Sequence, residues 1–129
     1  MADVYLKQAL LTDKVAVPFK TNDTTFWTAC VTYADTLAVD LAEQLGILEA
    51  DIATPIHTAF NDYLTYAFYE RLFLEASGVN EEEEEKYLEK AGIYEGKKNK
   101  AKIEVTPEII TKTVCDRGDR VMEVQLFRS

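Results

Sequence analysis

With 129 residues, 47% of them hydrophobic and 29% charged, the chain has enough apolar material for one domain and one core, and too little length for two. Its formal charge of −9, from 14 basic and 23 acidic residues, disfavours phosphate backbones and acidic membrane surfaces. Protein partners are therefore expected, with no sequence-specific nucleic-acid binding. No apolar run approaches the roughly 20 residues of a membrane span, and Met1 to Tyr5 lacks the basic start of a secretory signal, so a soluble, reducing setting is expected.

Residues 2–20 are ambiguous. Val4, Leu6, Ala9, Leu10 and Leu11 suit a short helix or a strand, and Val15-Ala16-Val17-Pro18-Phe19 reads as extended before its proline. The first clear element follows Thr21-Asn22-Asp23-Thr24, a run of helix-capping residue types. Trp27, Cys30, Val31, Ala34, Leu37, Ala38, Leu41 and Leu45 then recur at three and four, which predicts an amphipathic helix stopped by Gly46. Cys30 in that stripe reads as a small buried hydrophobe. Cys115 lies far off without a CxxC spacing, which leaves a disulfide between the two open but gives no argument for one.

A connector from Ile47 to Ala53 leads to Thr54-Pro55, a cap followed by an N1 proline, and a helix predicted from Pro55 to about Ser77, before Gly78. Ile56, Phe60, Tyr63, Leu64, Tyr66, Ala67, Phe68, Tyr69, Leu72, Phe73 and Leu74 cover nearly its whole circumference. A helix apolar all round must be covered on most sides, either as a central core helix or against a partner subunit.

Asn80 with Glu83 makes a capping-box pattern for a third helix, which Gly92 and Gly96 could bend or break. Residues 81–96 hold seven acids and two lysines, whereas 97–129 hold eight basic residues and five acids; acids first and lysines late suit one helix macrodipole. Thr106-Pro107 repeats the cap-plus-proline signal for a short helix from Glu108 to Val114. After Asp116-Arg117-Gly118-Asp119, the alternation from Arg120 to Phe127 predicts a strand that must pair with the N-terminal segment or a neighbour.

Catalytic chemistry is hard to build from these residues. His57 is the one histidine, and no Glu-x-x-His pair or Cys/His cluster accompanies it, so no metal or cofactor is expected. It reads as a structural residue near a helix start. No G-x-S-x-G elbow or phosphate-binding glycine loop occurs. Glu81 to Glu85 point in different directions on a helix and cannot converge on one cation. Arg117-Gly118-Asp119 spells an adhesion tripeptide, but Gly118 is more simply the turn residue before the strand. A site built from Glu70 or Asp62 with tyrosines leaves no spacing signature and stays open as a third reading.

One arrangement remains to be interpreted. A capped amphipathic helix precedes the aromatic run Asn61-Asp62-Tyr63-Leu64-Thr65-Tyr66-Ala67-Phe68-Tyr69-Glu70-Arg71-Leu72; then come Lys86-Tyr87-Leu88-Glu89-Lys90-Ala91-Gly92-Ile93-Tyr94, Thr106-Pro107-Glu108-Ile109-Ile110 and a terminal strand. From about Asp51 to the C-terminus this resembles the helical head–tail connector (neck or adaptor) proteins of tailed bacteriophages. It departs from them in residues 2–20 and at Gly92 and Gly96.

That resemblance implies a non-enzymatic structural subunit of a virion. It would form a ring of its own copies bound to portal or tail components, with DNA passing through a lumen that does not grip it. The expected fold is a mainly α single domain over 1–129, a small helical bundle with a long central helix and a short C-terminal β-strand, with a small β element possible with the N-terminal segment. Tyr63, Tyr66, Tyr69 and Phe73 on the central helix, and Val121, Val124, Leu126 and Phe127 on the strand, are the candidate subunit interface. The rival reading is a cytoplasmic helical binding or regulatory domain that uses the aromatic helix to hold a partner.

Overall fold

The computed structural model describes residues 5–79 and 81–111, and they form a mainly helical domain. Three long helices carry it: α2 (Thr24–Gln44), α3 (Thr58–Val79) and α4 (Glu84–Glu104). Two short ones, α1 (Val17–Asn22) and α5 (Pro107–Ile110), sit at the ends, and single 3-10 turns occupy Gln8–Leu10, Glu49–Asp51 and Glu81–Glu83. No strand occurs among the described residues, and the strand expected from Arg120 to Phe127 lies outside them, as do Cys115 and the Arg117-Gly118-Asp119 turn.

α3 is the middle of the domain. Trp27 of α2 packs edge-on to Phe68 at 4.8 Å, and the Arg71 guanidinium lies over Tyr33. On its other flank Phe73 stacks on Tyr87 at 5.8 Å, Tyr69 meets Tyr94 at 4.6 Å and Tyr66 stacks on Tyr94 at 6.1 Å. The α4 pairs fall along α4 as they rise along α3, so α4 runs antiparallel to α3. Phe19 bridges the N-terminal ends of α2 and α4 through Phe26 and Tyr87.

The N-terminal segment crosses the third side. Leu6, Leu11 and Ala16 are buried there, and without a strand partner their neighbourhood's backbone donors go to side chains. Tyr5 and Leu6 N–H donate to Asp35 Oδ1, Lys7 N–H to the buried Asn61 Oδ1 and Asp13 N–H to Tyr69 Oη. A helix apolar all round is thus explained within one chain: Phe60, Leu64, Phe68, Leu72 and Phe73 are fully buried by their own domain.

Cap chemistry accounts for several boundaries. Asp23 accepts from Phe26 N–H to start α2. Gly46 closes it at φ 81°, with Ile47 N–H on Ala42 O and Gly46 N–H on Glu43 O, the paired bonds of a Schellman motif. Thr106 accepts from Ile109 N–H and Pro107 opens α5, although that helix is shorter than the Glu108 to Val114 span expected, and 112–114 lie outside the described residues.

Three boundaries differ from expectation. Val15 to Phe19 is not extended, because Asp13 Oδ1 accepts from Val15 and Ala16 N–H and curls the chain, and Pro18 then falls in the first turn of α1, where its missing donor is not needed. Thr54-Pro55 does not start α3. That peptide bond is cis, Ile52 and Ile56 are buried before the helix begins, and His57 takes the capping role. The α-helical part of α4 begins after the Glu81–Glu83 turn with Glu83 at the N-cap and no side-chain cap bond; Asn80 lies outside the described residues. α4 then runs unbroken through Gly92 and Gly96.

Candidate functional site

The aromatic face predicted as an interface is largely spent inside the domain. Tyr63, Tyr69 and Phe73 are 6%, 4% and 0% exposed, each covered by the chain itself, whereas Tyr66 stays half-buried. Val121, Val124, Leu126 and Phe127 lie outside the described residues. The spacing of the aromatics marked them as needing cover, but not which element would supply it.

Between α3 and α4 the rings form a ladder, and lysines lie over it. Lys90 Nζ is 5.5 Å from the centre of Phe73, and Lys97 Nζ is 5.5 Å from Tyr94 and 5.8 Å from Tyr66, cation–π contacts that satisfy charge without full hydration. Asp13 enters the end of this ladder from the N-terminal segment. Its Oδ2 accepts from Lys90 Nζ at 2.9 Å and from the Tyr94 hydroxyl, while Oδ1 holds the two backbone donors.

Burial alone would raise the Asp13 carboxyl, but the bonds from Tyr94, Lys90, Val15 and Ala16 outweigh it and hold it below the ordinary aspartate value. The Tyr94 hydroxyl is pushed the other way, by burial first and then by its bond to Asp13. A second, partly buried link, Lys98 Nζ to Glu70 Oε1 at 2.6 Å, ties α4 to α3 further along; burial would lower the ammonium, and Glu70 more than reverses it.

Both carboxylates face cations, and Glu70 is not brought together with Asp62, which sits on the rim of an open depression of about 560 Å³. That depression lies between the start of α3 and the end of α4, walled by His57, Asp62, Tyr66, Lys97, Lys100 and Glu104. His57 Nδ1 accepts from Ala59 N–H at 3.0 Å and its carbonyl accepts from Asn61 N–H, so the ring's unprotonated nitrogen is engaged in capping. No group of three or more His, Cys, Asp or Glu side chains is placed to hold a metal among the described residues, and no helix there is long and apolar enough to cross a membrane.

The remaining unusual surface is the outer side of α4. Leu88, Ile93 and Ile103 are 46%, 53% and 77% exposed, and Gly92 and Gly96 lie among them with nothing within 4 Å of where a Cβ would stand. Neither glycine is required by packing inside the domain, yet each costs helix stability by roughly 0.5–1 kcal/mol relative to alanine. Sequence periodicity had flagged these glycines only as breaks. Comparison with protein-family models, curated proteins and solved structures finds no match.

Proposed function

We propose that this protein is a structural assembly subunit, a head–tail connector (neck) component of a tailed phage that works as a ring of its own copies against portal or tail proteins. One observation carries the reading: α4 turns exposed aliphatics and two unneeded glycines away from its own core. Such a face is poorly suited to a free monomer, and apolar surface of this kind is usually an interaction site. The acidic surface fits a lumen that lets DNA slide past without binding it.

Light scattering across concentration, with negative-stain imaging of the same samples, tests the proposal. Closed rings well above the 14.6 kDa protomer are expected. A monomer at every concentration would sink it.

A second reading has its own observation. The depression beside Tyr66, with Asp62, Glu104, Lys97 and Lys100 on its rim, suits a binding module that holds a zwitterionic peptide segment. Tyr66→Ala separates the two, since it abolishes binding in the module and leaves a ring intact.

A further inference from the structure

The outer face of α4 changes sign along its length. Glu85 and Glu89 stand exposed on its N-terminal half, Lys100 and Lys102 on its C-terminal half, and the exposed Gly92 and Gly96 flank the midpoint of Glu84–Glu104. At about 100° per residue, Glu85, Glu89, Gly92, Gly96, Lys100 and Ile103 fall on one stripe, which Leu88 and Ile93 border on opposite sides. Glu84, Glu85, Glu89, Lys100 and Lys102 enter none of the ion pairs among the described residues.

A face that is acidic at one end and basic at the other complements itself when turned end for end. Two copies of α4 laid antiparallel about that midpoint put Gly92 of each opposite Gly96 of the other. Glu85 and Glu89 then lie within about a turn of Lys100 on the other copy, Glu84 near its Lys102 and Lys86 near its Glu104, and every pair occurs twice by symmetry. Ile93 meets its own copy beside the axis, and Leu88 reaches toward Ile103. Glu95 also approaches its own copy, but at the rim of the face, where salt screens the two. A parallel pair would instead set acid against acid and lysine against lysine. With no Cβ where the helices cross, their axes can approach at the short end of the usual range of about 8–10 Å. The open space beside both glycines, a cost to a lone helix, is then filled by another backbone.

We infer that this chain dimerises through α4, two copies packed antiparallel across a two-fold axis at Gly92 and Gly96. An isologous contact closes on itself, so a ring of copies needs a further, separate contact. The inference rests on the assembly reading above for an exposed α4 face that binds protein, and it assigns that face its occupant: the same face of a second copy, rather than the aromatics of α3.

Crosslinking and charge reversal test it. In a Cys115→Ser background, Gly92→Cys and Gly96→Cys single variants are mixed and mildly oxidised; both positions are open, and Cys30 is buried. Disulfide-linked dimers holding one of each are expected, with little product from either variant alone. As a second arm, Glu85→Lys/Glu89→Lys and Lys100→Glu/Lys102→Glu should each weaken self-association by about tenfold or more in sedimentation, and their equimolar mixture should restore it. Gly92→Ala/Gly96→Ala meets nothing inside the protomer, so it should raise the melting temperature of the dilute monomer yet weaken the dimer, opposite effects that a purely local role would not give. Self-linking of Gly92→Cys as strong as in the mixture would mean parallel pairing. Charge variants that keep their helical circular dichroism and associate like wild type would mean that another face is used, and monomers throughout would mean that α4 has no second copy on it. Each of these overturns the inference. Rings that form without the crosslinks leave the assembly function standing, whereas crosslinked dimers that go no further keep the inference and remove the ring.

Discussion

Asp13 and Lys90 are separated by 77 residues in the chain and by 2.9 Å in the fold, Oδ2 to Nζ. The carboxylate is 7% exposed and the ammonium 28%, so the pair is partly shielded from solvent, and Tyr94 completes the cluster. Asp13→Asn should lower unfolding free energy by about 2 kcal/mol at neutral pH, because it unpairs Lys90 while nearly preserving shape. Urea melts of the two proteins measure it.

The same residue sets a pH signature. Its carboxyl is held below its ordinary value in the fold, so the stability it contributes is present above the unfolded value of about 3.9 and is lost as pH falls through the folded one. The gap between wild type and Asp13→Asn should be constant from pH 5 to 8 (a range chosen well above about 3.9) and close as the solution is acidified below it. A gap that widened with acid would refute the sign.

Tyrosine ionisation should act at the alkaline end. Burial raises Tyr63, Tyr69 and Tyr94, so the unfolded chain releases these protons first and stability falls as pH rises past about 10. Absorbance titration should find a group of tyrosines that ionises only together with loss of helical circular dichroism. Tyr94→Phe should shrink that group.

Cys30 is 2% exposed and its thiol is pushed up to about 11, by burial first and then by Glu75, with Arg71 opposing. Almost no thiolate exists at pH 8, so in a Cys115→Ser background alkylation should be slow in buffer and fast in denaturant. Fast labelling of the native chain would contradict the packing of α2.

His57→Ala should cost about 1 kcal/mol through loss of the α3 cap, and His57→Asn should recover most of it, since an asparagine side chain can accept the same bond. Thermal melts compare them directly.

Much of this architecture is legible in the residues. The stripe from Trp27 to Leu45 with Gly46 behind it is α2, and Thr106-Pro107 starts α5, because in both cases a side chain within the element does the capping. Expectation failed where a distant or unconventional group decided the outcome. Pro55 looked like a helix start until the burial of Ile56 is considered, and Val15 to Phe19 looked extended until Asp13 turned it. The candidate interface shows the same limit: Tyr63, Tyr69 and Phe73 have the periodicity of a surface in need of cover, and only the three-dimensional path of residues 5–16 and α4 reveals who covers them.

The side-chain moorings of the N-terminal segment have a consequence during synthesis on the ribosome. Leu6 and Leu11 are made well before most of what moors their segment: Asp35 follows Leu6 by 29 residues, Asn61 and Tyr69 follow the Lys7 and Asp13 amides they accept from by 54 and 56, and Lys90 and Tyr94 lie further still. At about 5–20 residues per second, this segment waits several seconds for its anchors on α3 and α4 to be made. Residues 5–16 are thus made well ahead of the helices that hold them in place.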